Sequence, residues 1–279
     1  MKIDDISLVI AAYNSAEMLE EALRENLQTG FAAIIIVDGE STDRTKEVIK
    51  NLQGQYPAVL KFYQTPLRGL ANARNFGTSK VETTLAMHAG PDNILSPETV
   101  KVMIEEIGRY DLVSCQTRRV ETSGYLGTAH NIYKKRYTPG VQPVVGTPYL
   151  GRMAVFCEFP FNEEMLNSDD TEFCQRLTDA GKKIFRANVI CLEIGFEKLA
   201  DIVERWLRWG RGDGLFYRSQ KMRWPLKRKI RSWVHPFKAE FLDCFRALTL
   251  LEFIYVLPFL LLVMFLRYLG WARLVILGK

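Results

Sequence analysis

The chain has 279 residues, of which 48% are hydrophobic and 25% charged, and its net charge is +5. This length and composition fit one large α/β domain with an appendage, and they exclude a disordered chain. The five cysteines are odd in number and contain no Cys-x-x-Cys pair, which argues against a zinc site and a disulfide scaffold. The first five residues lead directly into a predicted strand, so we expect no signal peptide.

The first half of the chain alternates between strand and helix patterns. Predicted strands are Ile6–Ala11, Ala33–Val37, Val59–Tyr63 and Thr84–His88, and predicted helices are Ala16–Asn26, Asp43–Leu52 and Ala71–Thr78. Such alternation predicts a doubly wound α/β sheet. Residues 110–160 have an irregular pattern, with Pro139, Pro143 and Pro148 among strand-like pieces. A helix over Asp169–Ala180, ended by Gly181, then precedes a strand over Lys183–Ile190.

Asp38 follows the most strongly apolar strand of the chain. The run Ala33–Val37 is β-branched and wholly apolar, which is typical of a buried central strand. Ligands of open α/β sheets bind beyond the carboxyl ends of such strands. Helix capping accounts for Thr42 and Asp43 but not for Asp38. Asp38 is therefore a candidate partner for a hydrogen-bond donor or a metal.

Three further polar clusters could converge on the same cleft. They are Ala12-Tyr13-Asn14-Ser15, Gly90-Pro91-Asp92-Asn93 and Asp169-Asp170. A cleft lined by carboxylates suits a divalent metal that holds a phosphate ester. The chain lacks GxxxxGK[ST], and no GxGxxG follows the first strand, so P-loop and dinucleotide sites lose their main support. The histidines form no Ser–His–Asp arrangement, and we expect His88 to point into the core.

The C-terminal part of the chain differs in composition from the rest. Between residues 204 and 231, ten Lys or Arg accompany only two acids, Glu204 and Asp213. Residues 248–266 are apolar apart from Glu252 and interrupted by Pro258, and about 20 residues are needed to cross a bilayer. A buried core helix is the alternative, but the basic, Trp-rich flank favours a membrane surface. The sequence leaves open whether this segment spans the bilayer or lies on it.

Several of these motifs occur together in one known family. The order of Ile6–Asn14, Ile35–Asp43 and Gly69–Gly77 resembles the nucleotide-binding half of the family 2 inverting glycosyltransferases. Phe161–Glu164 and Ser168–Leu177 are similar to its acceptor-side segment and acidic pair. The resemblance covers roughly residues 4–190.

The resemblance implies an α/β GT-A fold, a doubly wound Rossmann-like mixed sheet flanked by helices, with a C-terminal helical membrane-associating tail. We expect a catalytic domain over residues 1–199, with a nucleotide-sugar half (1–95) and an acceptor half (96–199). A basic, Trp-rich helical segment (200–245) and a hydrophobic membrane-associated segment (246–279) would follow.

The resemblance also implies roles for single residues. Asp38 would hydrogen-bond the nucleobase, Arg74 would approach the diphosphate, and Asp92 would bind the metal. Asp170 would be the general base, with Asp169 as its substitute; the alternative for either acid is a helix cap. The full nucleotide-sugar site would comprise Ala12, Tyr13, Asn14, Asp38, Arg74, Gly90 and Asp92.

One position departs from the family pattern. The family's DxD motif usually begins with an aspartate, and here Gly90 stands in its place. The Mg²⁺ or Mn²⁺ expected at Asp92 would then have fewer protein charges, and Asn93 could contribute a neutral oxygen. We favour a working enzyme over a degenerate one because the other acids and Arg74 remain.

A second resemblance lies in Arg205–Trp209, which is similar to the QxxRW signature of membrane-associated bacterial and archaeal members, with Arg205 replacing the glutamine. It implies that Arg208 holds the diphosphate and that Trp209 stacks on the acceptor sugar. The alternative is that this segment is an amphipathic helix that lies on lipid. The two roles are compatible. The glycines at 210, 212 and 214 suggest a mobile lid.

The expected function is inverting, metal-assisted transfer of one sugar from a nucleotide-diphosphate sugar, expected to be a UDP-sugar. The acceptor would be a saccharide or lipid-linked saccharide at the cytoplasmic face of the cell membrane, in polysaccharide or glycoconjugate biosynthesis. The alternatives are an inactive membrane-bound partner protein, which Gly90 motivates, and a sugar-nucleotide nucleotidyltransferase. The adjacent apolar segment argues against nucleic acid as the partner of the basic tail.

Overall fold

The computed structural model describes residues 1–66, 69–120, 124–165, 168–195 and 198–277. The chain separates into two compact units. The first comprises Met1–Arg118, Pro139–Glu164 and Asp169–Ile194, and the second comprises Arg119–Thr138, Met165–Ser168 and Gly195–Lys279.

The strands of the described residues form one sheet. They are β1 (Ile6–Ala12), β2 (Ala33–Asp38), β3 (Leu60–Gln64), β4 (Leu85–Ala89), β5 (Asn93–Ile94), β6 (Leu112–Arg119), β7 (Gly140–Val141), β8 (Tyr149–Arg152) and β9 (Ile184–Glu193). Their order is β3-β2-β1-β4-β8-β6-β9-β5, with β7 beside β9. Every residue of β1 is buried, as expected for a strand in the middle of a sheet that helices flank.

The sheet is mixed. Strands β3, β2, β1 and β4 are parallel to their neighbours. Strand β8 is antiparallel to both β4 and β6, and β9 is antiparallel to β5 and β7. The prediction of a mixed, Rossmann-like α/β sheet is therefore confirmed.

The helices of the first unit are α1 (Ala16–Asn26), α2 (Thr45–Gln55), α3 (Leu70–Thr78), α4 (Pro97–Glu106), α6 (Met153–Glu158) and α7 (Asp169–Asp179). The predicted bounds of α1 are confirmed, and the apolar side chains of its inner face, among them Leu19 and Leu23, are fully buried. The strand-like pieces predicted within residues 110–160 are confirmed by β6, β7 and β8, but a regular helix over Tyr125–Lys134 also lies in this region, which was predicted to be irregular. Strand β8 lies there and is held by pairing with β4 and β6, which local sequence patterns do not reveal.

The second unit is helical. It contains α5 (Tyr125–Lys134), α8 (Leu199–Gln220), α9 (Leu226–Phe237), a π-helix (Lys238–Leu242), α10 (Asp243–Ala247) and α11 (Leu250–Val275). Its core joins three helices through fully buried Tyr133 of α5, Trp206 of α8 and Phe259 of α11. Helix α11 is long and apolar enough to cross a membrane.

Helices α8 and α11 touch backbone to backbone. A Cβ atom added at Gly210 would lie 2.1 Å from the carbonyl oxygen of Arg267, and one added at Gly270 would lie 2.2 Å from that of Leu207. Only glycine permits so close an approach. Gly210, Gly212 and Gly214 lie inside the continuous helix α8, and the mobility expected of the stretch that follows them stays a prediction.

A network of charged groups is buried in the second unit. Arg267 donates to Asp213 of α8, with 2.6 Å between Nε and Oδ2, and also forms an ion pair with Glu240. Arg136 lies 3.6 Å from the Glu240 carboxylate, and the Tyr133 hydroxyl donates to it. Burial alone would raise the pKa of Glu240, but the two arginines outweigh it and hold that pKa below its ordinary value.

Candidate active site

Three of the predicted clusters lie at one edge of the sheet. Ala12 at the end of β1 pairs with Asp38 at the end of β2, and Ala89 at the end of β4 pairs with Ile10 of β1. Because these strands are parallel, the loops that follow them share the carboxyl edge, where α/β sheets bind ligands.

The loops after β1 and β2 are tied together. The backbone N–H of Thr42 donates to Asn14 Oδ1 at 2.8 Å, and the N–H of Asn14 donates to Ser41 Oγ at 2.9 Å. Asn14 has φ = 45°, a left-handed conformation that asparagine tolerates better than most residues. Tyr13, between these anchors, is 60% exposed, so its ring is available to a ligand at this edge.

Asp38 is fully buried. Its two carboxylate oxygens accept from the backbone N–H of Ser41 at 3.3 and 3.2 Å, and Lys46 Nζ lies 3.9 Å away. These bonds shape the loop after β2, so contact with a nucleobase requires that loop to open. The assignment of Asp38 to the nucleobase stays a prediction.

Asp43, and not Thr42, caps the helices at this edge. Its carboxylate accepts from the N–H of Thr45 at 3.0 Å and from the N–H of Ala16 at 3.2 Å, at the starts of α2 and α1. Partial burial raises the pKa of Asp43, but the hydrogen bonds from Thr45 and Ala16 lower it further, and the result lies below the ordinary value.

The loop after β4 holds Asp92 close to Gly90. A Cβ atom at position 90 would lie 2.4 Å from Asp92 Oδ1, so the glycine leaves room for this carboxylate. Asn93 is buried, and its Oδ1 accepts from the N–H of Gly90 at 2.8 Å. Metal binding by Asn93 would compete with that bond. Within the described ranges no three His, Cys, Asp or Glu side chains lie close enough to hold a metal by themselves.

Arg74 on α3 bridges the acidic pair at the start of α7. Its Nη1 donates to both Asp169 and Asp170, and its side chain is only 5% exposed. In the structure Arg74 is paired with the two acids, and its approach to a diphosphate stays a prediction.

The two acids differ in accessibility. The side chain of Asp170 is 26% exposed and that of Asp169 only 3%. Burial, only partly offset by Arg74, raises the pKa of Asp169 to about 6, and the charge of Asp170 adds to this rise. Asp170 is thus the member of the pair that an acceptor can reach.

Tyr149 is the site residue that the sequence did not reveal. Its hydroxyl donates to Asp170 Oδ1 at 3.1 Å, and the Arg74 guanidinium lies 5.8 Å from its ring centre. Tyr149 begins β8 opposite His88 at the end of β4, so the acidic pair is anchored near the same edge of the sheet. That pairing joins residues 61 positions apart, and no local pattern signals it.

His88 points into the core, as predicted. It is fully buried against the rings of Phe156 and Phe161, and its Nε2 lies 3.2 Å from Thr78 Oγ1. Burial lowers the pKa of His88 well below its ordinary value, and nearby Arg74 lowers it further. A neutral, enclosed imidazole of this kind has a packing role.

Arg208 and Trp209 lie on α8 in the second unit. The Arg208 side chain is half exposed, with Nη1 3.8 Å from Glu204. The Trp209 ring stands 5.0 Å from the ring of buried Trp206. Their contacts with diphosphate and acceptor stay predictions.

Solved structures share this fold. The mannosyltransferase PcManGT from Pyrobaculum calidifontis, in complex with GDP-Man and Mn²⁺, aligns over 99% of this chain and 88% of its own, with a TM-score of 0.67 and 13% identity. TarS 1–349 from S. aureus aligns over 99% of this chain and 90% of its own, with a TM-score of 0.53 and 16% identity. Both similarities show the fold.

Curated relatives are also glycosyltransferases. A chondroitin synthase and a hyaluronan synthase of Pasteurella multocida are each 25% identical over 67% of this chain and 20% of their own length. An uncharacterized glycosyltransferase of Nostoc sp. is 29% identical over 39% of this chain and 34% of its own. The chain thus spans about a fifth of the two synthases.

Two family descriptions match the chain. Residues 91–277 match the family described as Glycosyl transferase family group 2. Residues 7–166, more than half of the chain, match Glycosyl transferase family 2. The protein therefore belongs to glycosyl transferase family 2, and it has the GT-A fold.

Proposed function

We propose that this protein transfers one sugar, with inversion, from a nucleoside-diphosphate sugar to a hydroxyl of a saccharide or lipid-linked saccharide. The expected donor is a UDP-sugar and the expected setting is polysaccharide or glycoconjugate biosynthesis. The observation that carries the proposal is the group of Arg74, Asp169, Asp170 and Tyr149, in which one buried arginine holds two acids and one acid stays accessible.

Asp170 is the proposed general base. It takes the proton of the acceptor hydroxyl as the acceptor oxygen forms its bond to the anomeric carbon. The bond from that carbon to the diphosphate breaks, and the electron pair leaves with the nucleoside diphosphate. A single displacement inverts the anomeric centre. Arg74 and Tyr149 orient Asp170, and buried Asp169 fixes Arg74 from the other side.

The donor would bind at the carboxyl edge of β1, β2 and β4. Exposed Tyr13 and the loop of Ala12 and Asn14 would face the nucleoside, and Asp38 would read the base after the loop of Ser41 opens. Arg208 and Trp209 are proposed to meet the diphosphate and the acceptor sugar.

The residues of the loop after β4 fit a divalent cation that is shared with the donor. Mg²⁺ commonly takes one or two protein carboxylates and completes its shell with phosphate oxygens and water, and Asp92 supplies one carboxylate. When bound, Mg²⁺ or Mn²⁺ would neutralise charge on the leaving diphosphate. PcManGT and GalNAc-T7 were both solved with Mn²⁺, which supports a metal here without deciding between the two ions.

The proposed acceptor is held at the cytoplasmic face of a membrane. The support is α11, which is apolar and long enough to span, together with the basic helices before it. We propose that one sugar is added per encounter.

The test is a transfer assay with purified full-length protein, Mn²⁺ or Mg²⁺, a panel of nucleotide sugars and a lipid-linked acceptor. Asp170→Asn should lower the rate about 10²- to 10⁴-fold. Asp179→Asn, an exposed acid at the far end of α7, is the matched control and should retain full activity. Undiminished transfer by Asp170→Asn would remove Asp170 as base.

A second candidate is a catalytically inactive partner protein, which Gly90 in the DxD position favours. In that case wild-type protein would bind a nucleotide sugar without product formation at any metal concentration. Donor binding by calorimetry beside the transfer assay separates this candidate from an active enzyme that was given the wrong donor, because the latter would leave the unsuitable sugars unbound.

A further inference from the structure

The second unit exposes two apolar stripes. On α9 the exposed apolar residues are Leu226, Ile230, Trp233, Val234 and Phe237. Their spacing of three to four residues places them on one helix face. On α11 they are Leu250, Leu251, Ile254, Tyr255, Leu261 and Phe265, again on one face. The Tyr268 hydroxyl of α11 donates to the carbonyl of Trp233 at 3.1 Å, so the two helices are neighbours.

Positive charge flanks the stripe on α9. At 100° per residue, Lys227 and Arg231 fall on one side of the apolar face and Lys229 on the other. Long basic side chains in these positions can reach outward while the apolar face is buried. Such a pattern is typical of helices that lie in the interface of an anionic bilayer.

The longest uncharged stretch of α11 is bounded by two residues that form ion pairs. Glu252, in its first turn, pairs with Lys135 of α5, and Arg267, near its other end, pairs with Asp213 of α8. Between them lie the 14 residues Phe253–Leu266. At 1.5 Å per residue they extend about 21 Å, whereas a bilayer core is about 30 Å thick.

The inner face of α11 is already used. Val256, Leu260 and Val263 are fully buried within the second unit. The Tyr125 hydroxyl of α5 accepts from the N–H of Phe259 at 3.3 Å and donates to the carbonyl of Tyr255 at 3.2 Å, beside Pro258. Because one side of α11 contacts polar groups of α5 and α8, only its exposed apolar stripe is available to lipid.

We propose that the second unit docks on an anionic bilayer with α9 and α11 both lying in the plane of the interface, and that α11 does not cross the membrane. The inference uses the second unit alone. This inference does not depend on the sugar or on the catalytic residues. It can therefore fail while the proposed function holds, and the proposed function can fail while this inference holds.

The first experiment measures topology. Full-length protein with a protease-cleavable tag at each terminus is expressed. Membrane vesicles are then prepared with the cytoplasmic face outward. Both tags should be cut by added protease without detergent. A C-terminal tag that is cut only after detergent is added, while the N-terminal tag is cut without it, would overturn the proposal in favour of a crossing helix.

The second experiment measures vesicle binding by flotation of purified protein. Binding should be at least about tenfold stronger to vesicles of phosphatidylcholine with phosphatidylglycerol than to phosphatidylcholine alone. Trp233→Glu and Ile254→Glu should each weaken it about tenfold. Val141→Glu, which changes an exposed apolar residue of the first unit, is the matched control and should bind as wild type.

These variants also separate the two binding modes. A crossing α11 would be disrupted by Ile254→Glu but not by Trp233→Glu, and equal binding by Trp233→Glu and wild type would therefore overturn the proposal. Absence of wild-type binding to both vesicle types would overturn it as well. Circular dichroism should give the wild-type spectrum for every variant, because the substituted side chains are exposed.

Discussion

Two buried arginines in this molecule each hold two carboxylates, and the two clusters differ in their charge balance. In the first unit Arg74 faces Asp169 and Asp170, so acids exceed bases by one. In the second unit Arg267 and Arg136 together face Asp213 and Glu240, so the charges balance. Burial raises the pKa of Asp169, and the charge of Asp170 adds to that rise, whereas the two arginines outweigh burial and lower the pKa of Glu240.

In the proposed mechanism only the first cluster acts on a substrate, so a buried Arg–carboxylate cluster would not by itself identify an active site. A cluster in which the acids outnumber the bases, and in which one acid is accessible to solvent, can take up a proton from a substrate. A neutral cluster enclosed among helices holds those helices together. The predictions below test this division, from the largest expected effect to the smallest.

Glu240→Gln should destabilise the protein by roughly 3–5 kcal/mol, because it removes the buried carboxylate that Arg136 and Arg267 share and leaves Asp213 alone to face the two arginines. Urea unfolding measures the loss. Asp170→Asn, the equivalent change in the first cluster, should alter stability by less than about 1 kcal/mol because this acid is partly exposed. If Glu240→Gln were as stable as wild type, the second cluster would not stabilise the packing of these helices.

Asp169 should make stability fall as pH rises from about 4 to about 6. In this window the folded protein keeps the Asp169 proton, since its pKa is about 6, whereas the unfolded chain has lost it. Proton release on unfolding means that raising the pH favours the unfolded state, by up to about 3 kcal/mol. Unfolding of wild type and Asp169→Asn across this range gives the difference, and parallel curves would contradict the assignment.

Gly210→Ala should destabilise the protein by about 1–3 kcal/mol, since its Cβ would strike the carbonyl of Arg267 and push α11 from α8. Gly54→Ala on α2, where the Cβ meets open space, should be neutral or slightly stabilising. Thermal unfolding of both variants checks this. Equal melting temperatures would mean that the α8–α11 contact is looser than described.

Tyr149→Phe should slow sugar transfer about three- to tenfold, because one hydrogen bond of about 1 kcal/mol that orients Asp170 is lost. Tyr133→Phe removes the corresponding hydroxyl from Glu240 in the second unit. It should lower stability and leave the rate per folded molecule unchanged. A rate loss in Tyr133→Phe equal to that in Tyr149→Phe would erase the distinction between the clusters.

The sequence predicted the first four strands and the placement of Asp38 and Asp92 at strand ends, because these follow from runs of apolar residues and the polar residues after them. It predicted the acidic pair Asp169-Asp170, because the pattern of a helix begins at these two residues. It did not predict Tyr149 or Glu240 as partners, since each acts through contacts between segments distant in the chain. It did not predict that Gly210 permits close contact between α8 and α11, because glycine serves close helix contact as readily as motion.

Gly90 has a consequence for how this loop can change. Any side chain there would displace the Asp92 carboxylate from its present place. A single substitution that restores an acid at 90 would therefore disturb the acid already present. Because the atom that a Cβ at 90 meets is the far end of a flexible side chain, the Asp92 carboxylate can turn aside, and a loop with aspartates at both 90 and 92 would hold that carboxylate in a different place from the present one.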